Sequence, residues 1–571
     1  MTLTQMGPLL PIGVCATTLL AALVPVSADG PRRVIQSILL GAALVGSAAG
    51  YVATSGTLSS SGFGWLTIPG RGSAILANVY IGPESALLIG AIALLTLVTR
   101  VALPPATTRL DAGMLFGAST AVHVVVVGNH LLLRLAALEW LLLSVLLLVL
   151  QRRTSILGLL VAHRIAAGAL LLAALIAGGW QVRLFGEVTG TDSVIWVAGL
   201  VLLAALALSG GFPFHRSLLP IVSLPAAVRA HISGLLLLAA GGLVLRVVEM
   251  GDWTGSSTVG FGFILPALAA AILSLASTDL RRAQLWAWSS QLAFAVALTL
   301  STPAVIAAGV WVCLALVRPA AAWALDVVDA ALGDTADANR CGGLAASLPV
   351  ACWMSVLAAV GVAGLPPWGL FILHGHLLAT QPPATPEFAM LALLPALVVV
   401  PALRLGLWPF LGSPRHSVLA PQEQTAVPSP VVATVIFSAV IGGLWPLTLL
   451  LTQHLPSTPA FGTVAALGLV LLLVTGWVGR RRPDVDPELS ASPLRQFVGD
   501  GLALSIRRFR GVTGGLRQLA WLVDIVSLVP GVLVLVCRGV GWGVTWVESR
   551  PLWWAVLTTA AMVAAILGGR L

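Results

Sequence analysis

The side chains in this sequence that could carry or steer a proton are few, and they stand in costly surroundings. Glu139 lies within the apolar run Leu131 to Leu150, and His163 and Arg164 interrupt the next run. His215 and His231 flank a proline-rich stretch, Arg318 lies within Ala304 to Ala331, and His374 follows a Pro-Pro pair. An ionisable group near the centre of a bilayer is disfavoured by at least about 2.5–3.5 kcal/mol, so each needs a compensating role. A carboxylate or an imidazole can exchange protons, and histidine titrates near neutrality. Arginine keeps its proton at any accessible pH, so Arg164 and Arg318 can set a field or hold a carboxylate but cannot relay. Plainer readings stand beside these. Glu139 is either a proton-carrying carboxylate facing the bundle interior or an ion pair with Arg134, the charged neighbour in its own run. The same choice applies to Arg164, and a lone core histidine is more often simply hydrogen-bonded. His374 and His376, at i and i+2, do not share a helix face, so no metal site is expected there.

Two proline clusters break the apolar pattern beside these residues. Pro213, Pro220 and Pro225 predict an interrupted helix around His215 and before His231, and Pro366-Pro367 predicts a second interruption before His374. Broken helices leave backbone groups unpaired, which a membrane interior tolerates only where protein or water satisfies them. Two breaks and a line of buried ionisable residues are what a proton or cation route requires. No Gly-rich phosphate loop, nucleophile elbow or H-E-x-x-H is present, so no catalytic centre of the chain's own is expected.

The elements that must hold these residues are membrane helices. The 571 residues are 58% hydrophobic and 9% charged, against about 25% charged in soluble domains. Apolar runs near the roughly 20 residues needed to span a bilayer recur along the chain. They are continuous rather than alternating, which selects helices over a barrel. The expected fold is an all-α polytopic membrane protein with roughly 15–16 transmembrane helices, two of them broken. The first apolar run, from about Leu9, has no basic stretch before it and reads as a retained helix. We expect a membrane domain over 1–478, interrupted by an exposed Pro/Ser/Gln-rich loop at 413–430. A polar connector and amphipathic helix over 479–522 follow, with apolar residues among Arg507, Arg508, Arg510 and Arg517, and 523–571 holds the final spans. The net charge of +9 sits largely in short basic loops, as membrane topology requires, so no nucleic-acid partner is implied. Cys15, Cys313, Cys341, Cys352 and Cys537 show no metal, cluster or disulfide spacing.

Five elements in order resemble a known family. Phe212-Pro213-Phe214-His215 resembles an F-P-F-H element, and Pro225 with His231 fits T-P-V-S-A-L-I-H at its proline and histidine. Asp279-Leu280-Arg281-Arg282 with Ser290-Gln291-Leu292 is similar to D-I-K-R and S-Q-L. Asp337, Gly342-Gly343-Leu344 and Pro349 match D-x(4)-G-G-L-x(4)-P, and Gly364-Leu365-Pro366-Pro367-Trp368 resembles G-I-P-P-F. Together they resemble the antiporter-like subunits of respiratory complex I, most closely subunit L of NADH:quinone oxidoreductase. Under that resemblance Glu139 takes the place of the family's essential glutamate, His163-Arg164 that of its N-R element, and 497–522 that of the start of a lateral helix.

The resemblance implies a multi-pass subunit of the inner (plasma) membrane that takes part in proton translocation. It binds no cofactor itself, and flavin, iron–sulfur clusters and quinone belong to other membrane and peripheral subunits of the assembly. Its departures fall on the family's lysines, whose positions are occupied by Leu208, Arg318 and His374. The whole sequence holds no lysine, all 30 basic residues being arginine. A leucine cannot tune a glutamate, and an arginine cannot release a proton, whereas His374 can still relay. Two other readings share the core motifs. One is a cation/proton antiporter or inorganic-carbon uptake subunit, and the other is a non-conducting scaffold.

Overall fold

The computed structural model describes residues 59–67 and 74–412, apart from short connecting stretches, together with 469–471 and 473. The expected first helix, the 413–430 loop, the amphipathic helix and the final spans lie outside the described residues, as do Pro213, Pro366 and Pro367.

The chain is an all-α polytopic membrane protein. The helices in order are α1 (Pro83–Ala102), α2 (Arg109–Val127), α3 (Leu131–Leu150), α4 (Leu157–Ile176), α5 (Thr191–Ser209), the short α6 (Leu219–Val222) and α7 (Ala226–Glu249). They continue with α8 (Ile264–Ala276), α9 (Leu280–Thr299), α10 (Ala304–Ala331), α11 (Pro349–Ala363), α12 (Gly369–Ala379) and α13 (Pro386–Leu407). Five of them, α1, α3, α4, α7 and α10, are long and apolar enough to cross a membrane over 18 residues or more. One small element departs from the helical expectation. Before α1, β1 (Ser59–Thr67) pairs antiparallel with β2 (Ala74–Ile81), from Ser59 opposite Ile81 to Thr67 opposite Ala74. The Gly and Ser content of β1 makes a poor helix, and local strand pairing satisfies the backbone instead.

Local signals set several helix ends. Pro83 and Glu84 open α1, where a missing N–H and a negative charge both suit a helix N-terminus. Asp279 caps α9, its carboxylate accepting from the Arg281 and Arg282 amides at 2.9 and 3.2 Å. α11 stops at Gly364, whose φ of 59° lies in the left-handed region that glycine enters freely. Buried arginines cap other ends. Arg404 of α13 donates to the carbonyls of Ser274 and Ser277 at the end of α8, at 2.5 and 2.9 Å. Arg134 donates to Gly128 at 2.6 Å just past α2, and to Gly242 of α7 at 2.9 Å.

α7 is the hub of the described bundle. It packs against α1, α2, α5, α9 and α10 and is buried almost all round. Close approach needs small residues there: a Cβ added at Gly241 would lie 2.8 Å from the Trp311 ring of α10. The first break precedes this hub. α5 ends at Ser209, Gly210 takes a φ of 71°, and a 3-10 turn (Phe214–Leu218) and α6 follow before Pro225 caps α7. Arg229, 1% exposed, satisfies carbonyls freed by this break, donating to Val222 and Leu224 at 3.2 and 3.1 Å.

Arg229 also donates to Ala322 of α10 at 3.0 Å and forms an ion pair with Asp326. One turn on, Asp329, 1% exposed, pairs with Arg281 of α9. The two aspartates of α10 therefore pin it to α7 and α9. Breaking a buried pair strands the remaining charge. Asp326→Asn is expected to lower unfolding stability in mild detergent by about 3 kcal/mol, read as a fall in thermal midpoint. Arg282→Gln, which loses only an exposed pair with Asp279, is expected to leave the midpoint almost unchanged.

Candidate functional site: a buried polar line through the bundle

The sequence-selected residues fall into an outer pair and an inner line. Glu139 is the ninth residue of the 20-residue α3, about 12 Å along its axis at 1.5 Å per residue. It does not pair with Arg134, which is fully buried and occupied by carbonyls of α2 and α7. Its partner is Arg164 of α4, and their side chains are 41% and 52% exposed in the isolated chain. The carboxylate thus faces the outside of the described bundle rather than its interior. Trp140 and Leu143 are exposed on the same helix, at 45% and 56%. His163, adjacent in sequence, turns inward, and neither of its ring nitrogens has a hydrogen-bond partner among the described residues.

The inner line is organised by α9. His215, in the 3-10 turn of the first break, stacks on Trp286 with ring centroids 3.5 Å apart. Arg318, midway along α10 and 3% exposed, places its guanidinium 4.9 Å from the Trp288 ring centroid and donates to the Ser233 carbonyl at 2.6 Å. The aromatic face and the carbonyl stabilise the charge without a carboxylate bond. His374 on α12, beyond the second break, meets Phe294 edge-on at 5.0 Å. It is 2% exposed, and both ring nitrogens lack a partner among the described residues. Gly364 brings backbone close to this ring, since a Cβ there would lie 3.4 Å from His374 Nδ1. One helix therefore touches all three groups.

His231 lies on α7 six residues after Pro225 and is fully buried. Its Nδ1 is 3.0 Å from Thr99 Oγ1 of α1, and its Nε2 is 3.0 Å from Ser119 Oγ of α2. Two residues on, Ser233 is the residue held by Arg318, so the central imidazole and the central guanidinium share a turn of α7.

Beyond Trp288 a cavity of about 50 Å³ opens between α9, α10, α11 and α13, lined in part by Gln284, Trp288, Gln291 and Ser355. That is room for a few waters. Gln291 Oε1 is buried without a partner among the described residues, as expected of a group that bonds water. Sequence reading missed this chamber, and the S-Q-L element that contains Gln291 was its one signal. It also missed Thr96, Thr99 and Ser119, because hydroxyls in a helix usually bond their own i−4 carbonyls and carry no mark of a longer-range role. Among the described residues no cluster of His, Cys, Asp or Glu could hold a metal ion.

The fold is shared with solved chains. The protein is similar to a chain of the Mrp complex from Dietzia sp. DQ12-45-1b, with a TM-score of 0.64 and 19% identity, over 94% of this chain and 63% of that one. It is also similar to a chain of the membrane-bound sulfane sulfur reductase (MBS), an archaeal respiratory membrane complex, with a TM-score of 0.64 and 16% identity, over 91% of this chain and 99% of that one. This chain spans a little under two thirds of the Mrp chain's length. At these identities the likeness is one of fold. No protein-family model and no curated protein matches the sequence.

Proposed function

We propose that the chain is an antiporter-like membrane subunit of a multi-subunit respiratory complex and conducts protons in step with electron transfer carried out by its partners. The observation that carries this reading is the contact of His215, Arg318 and His374 with the three aromatic residues Trp286, Trp288 and Phe294 of a single buried helix, α9. Groups so costly to bury are retained where ions move. Two of them are imidazoles able to take and give a proton, while the third is a fixed positive charge. The cavity beside Trp288 offers room for a few waters next to the ring that faces that charge.

The outer pair supports the assembly part of the reading. An ion pair near the middle of two spanning helices, roughly half exposed in the isolated chain, is too polar to face lipid. A neighbouring membrane subunit covering α3 and α4 resolves that cost. Both similar structures belong, by their names, to complexes. The motif series from Phe212 to Trp368 favours a complex I-type NADH:quinone oxidoreductase of the inner (plasma) membrane. Flavin, iron–sulfur clusters and quinone would then reside in its partner subunits.

Purification from native membranes in mild detergent, with identification of the co-purifying chains, tests this. Co-purification of flavin- and cluster-bearing subunits is the expected result. A lone soluble partner without redox centres would instead favour the inorganic-carbon uptake reading.

A further inference from the structure

Two helices carry prolines within their length, Pro319 in α10 and Pro395 and Pro401 in α13. A proline has no N–H to give to the carbonyl four residues earlier, so each leaves one helix carbonyl without its usual donor. At Pro401 that carbonyl belongs to Leu397, and Ser290 of α9 donates to it at 3.1 Å. At Pro319 it belongs to Ala315, and among the described residues no side chain donates to it.

The Ala315 carbonyl lies beside the Arg318 site. Helix side chains lean back over the preceding turn, which for Arg318 is the turn that holds Leu314 and Ala315. On the facing helix Gly234 follows Ser233, whose carbonyl accepts from Arg318 Nη1 at 2.6 Å. A Cβ at Gly234 would lie 3.7 Å from the Ala315 oxygen, so α7 and α10 bring the two carbonyls to one contact. The guanidinium is not fully used there, because Nε is buried without a partner among the described residues. A donor left over and a carbonyl without its helical donor thus complement each other within one turn of α10. Both halves of this helix are held. Trp311 packs on Gly241 and donates to Thr299 Oγ1 at 2.8 Å, while Asp326 and Asp329 pair with Arg229 and Arg281. The two aspartates are committed elsewhere, and freedom of movement at this point belongs to the Arg318 side chain rather than to the helix.

We propose that Pro319 is a positioning residue: by withholding an amide from Ala315 it gives Arg318 two alternative carbonyl acceptors, Ser233 on α7 and Ala315 on α10. The use of that choice in transport rests on the function proposed above. An arginine keeps its proton, so it changes the field along the polar line only by moving its charge. Exchange of one carbonyl for another of the same kind has little net cost, whereas a lone acceptor pins the guanidinium. The Trp288 face, 4.9 Å from the guanidinium, stabilises the charge beside both acceptors.

Pro319→Ala supplies the missing amide, closes the Ala315 carbonyl and removes a residue unfavourable within a helix. The assembled complex carrying it is expected to melt at a higher temperature and yet to pass protons at least about tenfold more slowly, with Arg318 fixed on Ser233. Pro319→Gly supplies the same amide but favours helix less than alanine, so it is expected to lose flux equally and to gain less in thermal midpoint. Solid-state NMR of the full chain in bilayers with ¹⁵N-labelled arginine, Arg318 Nε being assigned by its loss in Arg318→Lys, reads the acceptors directly. Wild type is expected to show two Nε environments in exchange, and both variants one. A single Nε environment in wild type, unchanged flux in either variant, or a midpoint that falls in Pro319→Ala because the kink itself is needed, overturns the proposal. A wild-type complex that passes no protons sinks the function, while the NMR comparison still decides the role of Pro319.

Discussion

Replacing Glu139 by glutamine lowers proton uptake by the assembled complex by at least tenfold, measured with a pH-sensitive dye in proteoliposomes during electron transfer. Glutamine preserves the shape of the side chain and can still accept from Arg164, so what is lost is the negative charge and its charge-assisted bond. Such a bond contributes about 1.5–3 kcal/mol, or roughly ten- to a hundredfold in rate where the charge is used in the rate-determining state. The substitution also leaves Arg164 as an uncompensated cation mid-way along α4. If the pair only stabilises contact with a neighbouring subunit, assembly weakens while turnover per intact complex persists. Quantifying intact complex beside flux separates the two.

At Arg318 the account predicts an asymmetric series. Arg318→Leu abolishes flux, falling by about a hundredfold or more, because removing a charge stabilised by Trp288 and the Ser233 carbonyl erases the field that organises the inner line. Arg318→Lys retains flux, since lysine keeps the charge and, unlike arginine, is able to exchange a proton from a buried site. Proteoliposome flux for the three proteins, compared at equal assembly, checks this. A non-conducting scaffold would give the same flat trace for all three, which makes this series the sharpest contrast between the two readings.

How far the sequence carries this picture differs from residue to residue. The membrane helices were legible in continuous apolar runs, and the first break in its prolines, because backbone chemistry there is local. The depth of Arg318 and His374 was legible because each sits inside an apolar run, and both are buried. The partner of Glu139 was not. Arg134 lies five positions earlier on the same helix, and positions that far apart do not share a face, whereas positions three or four apart do. The actual partner comes from the packing of α3 on α4, which no spacing within one helix encodes. The pairing of Asp326 with Arg229 across α7 and α10, and the meeting of His231 with Thr99 and Ser119, depend on inter-helix register in the same way. The strand pair before α1 was missed for a different reason, since composition averaged over the chain hides one short Gly/Ser-rich stretch.

The central claim is that protons travel through a wet interior. A cryo-EM map of the assembled complex at a resolution that shows ordered water tests it most directly. The account predicts water density in the chamber bounded by Gln284, Gln291 and Ser355, continuing past Arg318 toward His374, and protein covering Glu139 and Arg164. A dry, carbon-filled interior with lipid tails lying against the Glu139–Arg164 pair would contradict it.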